Sequence, residues 1–189
     1  MNAPVSPQQR GRNRGMLILV VVVFLGSAIV AGALRLSGWR PAGMKNHGEL
    51  LDPPGDLRQV APRLQDGGEY AWKPADRTWR IAIAPAPGCT SECVELSQRI
   101  DTVWQLFTHR ADHVHILWVG TPPDGVQRNA AWHELEPDPA LLAALPRLRD
   151  PAGTPVYVID PNGFVILRYA PGFDPGHLRQ DMSRLLKLR

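Results

Sequence analysis

Only two cysteines occur in 189 residues, so the chain has neither a multi-disulfide framework nor a four-cysteine zinc site. Other chemistry-bearing patterns are missing too. There is no HExxH helix and no glycine-rich phosphate loop, which removes the commonest zinc hydrolases and nucleotide sites. Ser91 lies between the cysteines but has no evident base, so a serine nucleophile is not indicated. An excess of positive charge is absent from the body of the chain, although the pI is 9.2. Arg10, Arg12, Arg14, Arg35 and Arg40 flank one apolar run; from Pro41 onward 16 Lys/Arg face 18 Asp/Glu, a balance of −2. With no basic stripe to displace counterions from phosphates, nucleic acid is excluded as a partner.

What is present begins with that apolar run. Residues 16–34 (MLILVVVVFLGSAIVAGAL) carry no charge, and as a helix they span about 28 Å, close to a bilayer's hydrocarbon thickness. Arg10, Arg12 and Arg14 precede the run and no acidic residue does. The positive-inside rule therefore keeps the N-terminus in the cytoplasm and sends the rest across. Ala31-Gly32-Ala33 also fits a signal-peptide cleavage site, but the run exceeds the usual 7–15 apolar residues of such a peptide. An uncleaved single-pass anchor is the better expectation, and either reading puts the domain outside the cytoplasm.

The expected divisions are a cytoplasmic N-terminus over 1–15, a transmembrane helix over 16–36, a Gly- and Pro-rich tether over 37–56, and one domain over 57–189. Within the domain, 57–64 and 69–72 flank Asp66-Gly67-Gly68, a hairpin signal. Trp79, Ile81 and Ile83 alternate with Arg80, Ala82 and Ala84, predicting a strand buried on one face. Leu96, Ile100, Trp104 and Phe107 form a helical stripe after it. Residues 114–120 predict a second strand, and Asp138-Pro139 caps a short helix. Residues 155–159 and 164–169 flank the turn Pro161-Asn162-Gly163, and Asp174-Pro175 caps a last helix with Leu178, Met182, Leu185 and Leu186 inward. The expected core order is β-α-β-α-β-β-α after a small hairpin.

Both cysteines fall in Gly88-Cys89-Thr90-Ser91-Glu92-Cys93, where a strand ends and a helix begins. The positive end of a helix favours a thiolate, and the spacing brings both sulfurs to one helix mouth. There they form a disulfide or grip one soft metal ion. A plain staple is the bland alternative, but closing a loop this short stabilises by only about 2 kcal/mol. Pro155, just before a strand, is expected to form a cis peptide bond beside the cysteines, as in the thioredoxin fold.

Strand, Cys89-x-x-x-Cys93, helix, strand, then Tyr157-Val158-Ile159-Asp160-Pro161-Asn162-Gly163 resembles the Sco/SenC family over roughly residues 45–189. These are thioredoxin-fold proteins anchored in the bacterial inner membrane. The segment Asn46-His47-Gly48-Glu49-Leu50-Leu51 is also similar to small proteins associated with cytochrome oxidase assembly. The resemblance implies an α/β thioredoxin-like fold behind one N-terminal transmembrane helix, with the domain in the periplasm. It further implies copper bound by Cys89, Cys93 and a histidine, and a cytochrome oxidase subunit or a copper chaperone as partner.

Two positions depart from the Sco pattern: Val94 replaces a proline, and Ala152 stands where the copper-ligand histidine is expected. Thr154-Pro155 is similar to TlpA-type redox relatives, which carry CxxC. The remaining donors to consider are His47, His109, His113, His115, His133, His177, Met44 and Met182, with His113 and His115 expected on one strand face and Met182 in the core. The functional expectation is an accessory factor in cytochrome c oxidase biogenesis. It uses Cys89 and Cys93, with Pro155 holding the substrate strand, for thiol-disulfide exchange or transient Cu(I) binding. Two alternatives stand beside it: a tethered scaffold with a structural disulfide, and a general thioredoxin-type reductase.

Overall fold

The computed structural model describes residues 7–37 and 45–187. They form two compact units, divided after Met44. The first is helix α1, Pro7–Leu36, which contains a 24-residue apolar stretch, Asn13–Leu36, long enough to cross a bilayer. Its apolar side chains from Met16 to Leu36 are exposed, as lipid-facing residues are.

The second unit holds six strands and three helices. Strand β1 is Glu49–Asp56, β2 Trp79–Ile83, β3 Val114–Val119, β4 Trp132–Leu135, β5 Val156–Ile159 and β6 Phe164–Tyr169. Helix α2 is Ser91–Gln105, α3 Pro139–Ala143 and α4 Pro175–Leu185. The sheet runs β1-β6-β5-β2-β3-β4, with β2, β3 and β4 parallel and the other neighbouring pairs antiparallel. This is an α/β thioredoxin-like arrangement.

Alternation along the central strands sends side chains to two cores. Ile81, Ile83, Ile116, Trp118, Val156 and Val158 meet α2 and α4 on one face. Ala82, Ala84, Leu117, Val119, Tyr157 and Ile159 meet Leu57, Tyr70, Trp72 and the α3 residue Leu141 on the other. The caps expected at Asp138 and Asp174 are both formed by side-chain acceptance of backbone N–H groups.

Several expectations change. The stretch assigned to a tether through residue 56 ends in β1, which pairs with β6 from Glu49 onward, so tethering sequence stops short of the sheet. Asp66-Gly67-Gly68 does make a turn, but only one bridge, Arg63 to Glu69, closes it; no paired strands form there. Trp132–Leu135, a region that reads as loop in the sequence, is instead the edge strand β4. On α2 the buried residues are Cys93, Ser97, Ile100 and Val103, while Leu96 and Trp104 only flank the core. The inward face is thus rotated toward Cys93, and Ser97 is tolerated on it because its hydroxyl donates to the Val94 carbonyl at 2.7 Å and accepts the Gln127 N–H at 3.0 Å.

Strand β2 is buried on both faces, against the expected half-burial. Arg80 is 1% exposed. Its Nε donates to Tyr70 Oη at 2.9 Å, and Nη1 donates to the carbonyls of Thr78, Asp160 and Pro161 at 2.7, 3.1 and 3.1 Å. Nη2 donates to the Trp72 carbonyl, and the guanidinium lies over the Tyr70 and Trp72 rings. A buried charge is tolerated when carbonyl dipoles and ring faces replace its water.

Candidate functional site

Strand β2 runs out into Ala84-Pro85-Ala86-Pro87-Gly88. Gly88 takes φ +83°, a conformation that suits glycine, and turns the chain so that the Cys89 N–H donates to the Ala86 carbonyl at 3.2 Å. Two residues later α2 starts, with the Val94 N–H returning to the Thr90 carbonyl at 3.1 Å. Cys93 therefore lies in the first helical turn and Cys89 just ahead of it. Their sulfurs are bonded, with the Cα atoms 5.8 Å apart.

The two sulfurs have different surroundings. Cys93 is fully buried in the core between the sheet and α2, whereas Cys89 is only half-buried and lines an open groove of about 770 Å³. The groove walls come from the 84–88 loop, from Val119 at the end of β3 with Gly120, Thr121 and Pro123 after it, and from Leu148, Arg149, Asp150 and Pro151 before β5. A sulfur entering the groove would meet Cys89, and an electron pair released by attack there would fall on Cys93 at the positive end of α2.

Glu92, between the cysteines, ties the motif to the loop before β5. Its Oε1 accepts the Thr154 N–H at 3.0 Å. Gly153 makes the approach possible: a Cβ there would sit 2.5 Å from the same carboxylate oxygen, and φ is +130°. Pro155 is buried at the head of β5, but its peptide bond is trans; among the described residues the cis bond is Asp52–Pro53. The expected cis bond at Pro155 is therefore corrected. It is the backbone at Gly153 and Thr154 that meets the motif, through Glu92.

The expected metal donors are scattered. His115 follows the alternation of Leu117 and Val119, and His133 is in register with Leu117, so both lie on the sheet face opposite Cys93. There the His115 Nδ1 and Tyr70 Oη are hydrogen-bonded at 2.8 Å, and the rings of His115 and His133 are 4.4 Å apart. Burial, with His133 and Arg80 adding to it, pushes His115 down to about 4; burial also lowers His133. His113 ends a 3-10 turn and does not share a strand face with His115. His109 is bonded to Thr108 on the surface.

His47 and His177 stack 4.1 Å apart beside α4, where the buried Asp181 accepts the N–H groups of His47 and Gly48 at 2.7 and 2.9 Å and the Tyr169 hydroxyl at 2.8 Å. Met182 is core, as expected; Met44 lies outside the described residues. Ala152 lines a small depression with Glu92, where a ligand histidine would be needed. Among the described residues no cluster of three or more His, Cys, Asp or Glu is placed to hold a metal. A three-ligand copper centre of the Sco kind does not fit this donor set.

Compared with known proteins, residues 79–189 match the family model described as the transmembrane-like, thioredoxin-like, C-terminal domain. The chain belongs to this family. The match starts at β2 and so takes in the cysteine motif, the 84–88 loop and the segment before β5. No curated protein sequence matches the chain.

Among solved structures, a SCO1/SenC family lipoprotein from Bacillus anthracis is similar at 16% identity and a TM-score of 0.51, covering 71% of this chain and 98% of that one. BsSco, a member of the Sco family of cytochrome c oxidase assembly proteins in which a disulfide switch was identified, is similar at 13% identity and 0.50, covering 78% and 99%. At these identities the likeness is one of fold.

Sequence reasoning missed Glu92 and the groove. The partner of Glu92 is a backbone N–H 62 residues away, which leaves no mark in sequence. The prolines at 85, 87, 123 and 151 come together around Cys89 only in the fold.

Proposed function

We propose that the chain is a membrane-anchored thiol-disulfide exchange factor acting on the cysteines of a partner protein outside the cytoplasm. The observation that carries this is the asymmetry of the pair: Cys89 faces a groove and Cys93 is buried in the first turn of α2. A partner thiolate attacks Cys89 Sγ, the Cys89–Cys93 bond breaks, and the electron pair leaves on Cys93 Sγ, which then takes a proton from solvent. The partner's second thiol, deprotonated, attacks its own sulfur in the mixed disulfide and releases Cys89 as a thiolate. The partner dithiol has lost two electrons and the chain's pair has gained them; the reverse order reduces a partner disulfide.

The anchor is α1, with the arginines at 10, 12 and 14 favouring a cytoplasmic N-terminus and a periplasmic domain in a bacterial inner membrane. The setting we propose is cytochrome c oxidase biogenesis, the partner being an oxidase subunit or a copper chaperone. Support for it is the resemblance of the Cys89–Cys93 motif and the Tyr157 to Gly163 segment to the Sco pattern. Copper enters this reading as the partner's cargo; among the described residues the chain offers two sulfurs and no His, Cys, Asp or Glu cluster of three to complete a copper site.

The test is the redox state in living cells, read by alkylating the thiols with a heavy maleimide that does not cross the inner membrane. The expected result is a mixture of reduced chain, which takes up the reagent, and oxidised chain, which takes it up only after treatment with mild reductant. A pair that stays wholly oxidised and resists mild reductant overturns the proposal and leaves a tethered scaffold.

A further inference from the structure

On the side of the disulfide facing β5, an incoming strand would need the Thr154 N–H, and Glu92 Oε1 already accepts it. Access to Cys89 is left on the groove side. Pro85, Pro87, Pro123, Pro137 and Pro151 line that groove, so its walls offer few N–H donors and little freedom to reorganise. Recognition there comes from apolar contact with a preformed surface, at low entropic cost.

Two charged residues stand on the lip. Asp150 is compensated: its Oδ2 accepts the Arg168 Nη2 at 2.6 Å and its Oδ1 accepts the Ala152 N–H at 3.0 Å. Arg149 is exposed, and among the described residues its guanidinium has no ion pair or hydrogen bond. The groove thus presents an apolar floor, a disulfide wall and one uncompensated cation.

Resting on the exchange reading above, we infer that the groove selects an extended apolar polypeptide segment carrying an acidic side chain near its cysteine, and that Arg149 is the residue that sets this preference. The segment lays its apolar side chains along the proline walls, its carboxylate meets the Arg149 guanidinium, and its thiolate is presented to Cys89 Sγ. Glu92 repels the same segment from the opposite side and keeps the approach single. Arg149 touches no reacting atom in this scheme; it positions the substrate.

The experiment uses the full chain in lipid nanodiscs, oxidised, and a set of short Leu/Val peptides with one central cysteine. The cysteine is flanked by glutamate, glutamine or lysine, and the rate of mixed-disulfide formation is read after acid quench, with a small neutral thiol run alongside. Glutamate should outrun lysine by about fivefold at low salt, and the ratio should shrink as salt is raised. In Arg149→Gln the ratio should approach one, and in Arg149→Glu it should invert, a reversal that a merely structural arginine would not give. Equal rates in the wild type, or a ratio untouched by either substitution, overturn the inference while exchange itself stands. Failure of every probe, the small thiol included, overturns the exchange function and this inference together.

Discussion

Reducing the Cys89–Cys93 bond should weaken the domain modestly and leave it folded. The two cysteines are 4 apart in sequence, so the bond closes a loop of about five residues. In the chain-entropy account, opening such a loop costs about 2 kcal/mol, against about 5–15 kcal/mol for a whole domain. Cys93 lies in a core shared with Ile83, Ile100 and Val103, whose apolar contacts with one another do not pass through the bond. With a urea slope of about 2 kcal/mol per molar, the midpoint should fall by about 1 M on reduction. The same 2 kcal/mol makes the folded disulfide about 45 mV harder to reduce than the unfolded one. Tryptophan fluorescence during urea titration, with and without reductant, measures the first quantity. A domain that unfolds on reduction alone would refute the reasoning, because the bond would then be a staple and no redox cycle could pass through the reduced form.

Two further outcomes follow from groups the cysteine chemistry does not use. Asp181→Ala strands the buried N–H groups of His47 and Gly48 and the Tyr169 hydroxyl, so it should cost about 2–4 kcal/mol and expose residues 45–48 to protease; wild-type resistance in the variant would contradict this. His115, held at about 4 by burial, binds its proton more weakly in the folded domain than in the unfolded chain, where the value is 6.5. Its contribution to stability is therefore full above about pH 6.5 and is lost as pH falls toward 4. Urea midpoints of wild type and His115→Gln should converge in this window, and parallel pH slopes would count against it.

Much of the fold could be read in advance because period and caps agree. Ile81 and Ile83, the Asp138-Pro139 and Asp174-Pro175 pairs, and the Pro161-Asn162-Gly163 turn all speak locally, and the structure keeps each of them. Residues whose partners are distant were misread. Arg80 looked solvent-facing because nothing beside it in sequence announces the carbonyls of Trp72, Asp160 and Pro161 and the rings of Tyr70 and Trp72 that close around it. The strand Glu49–Asp56 was hidden by Pro53, Pro54 and Gly55, which a strand interior usually avoids; at an edge, with a shift in pairing between Leu50 and Gly55, they are accommodated. At the site, the sulfur pairing was legible from spacing and the resemblance, whereas the trans bond at Pro155 and the role of Glu92 are set by tertiary packing.

The most direct measurement is a trapping comparison of two variants of the full chain in its native membrane. With Cys93→Ser, a partner attached to Cys89 has no internal thiol to release it. A mixed disulfide should accumulate and be visible as a reductant-sensitive band. With Cys89→Ser, the remaining sulfur is buried and the band should be missing. Equal trapping by both variants, or trapping through Cys93 alone, would contradict the assignment of Cys89 as the sulfur that meets the partner.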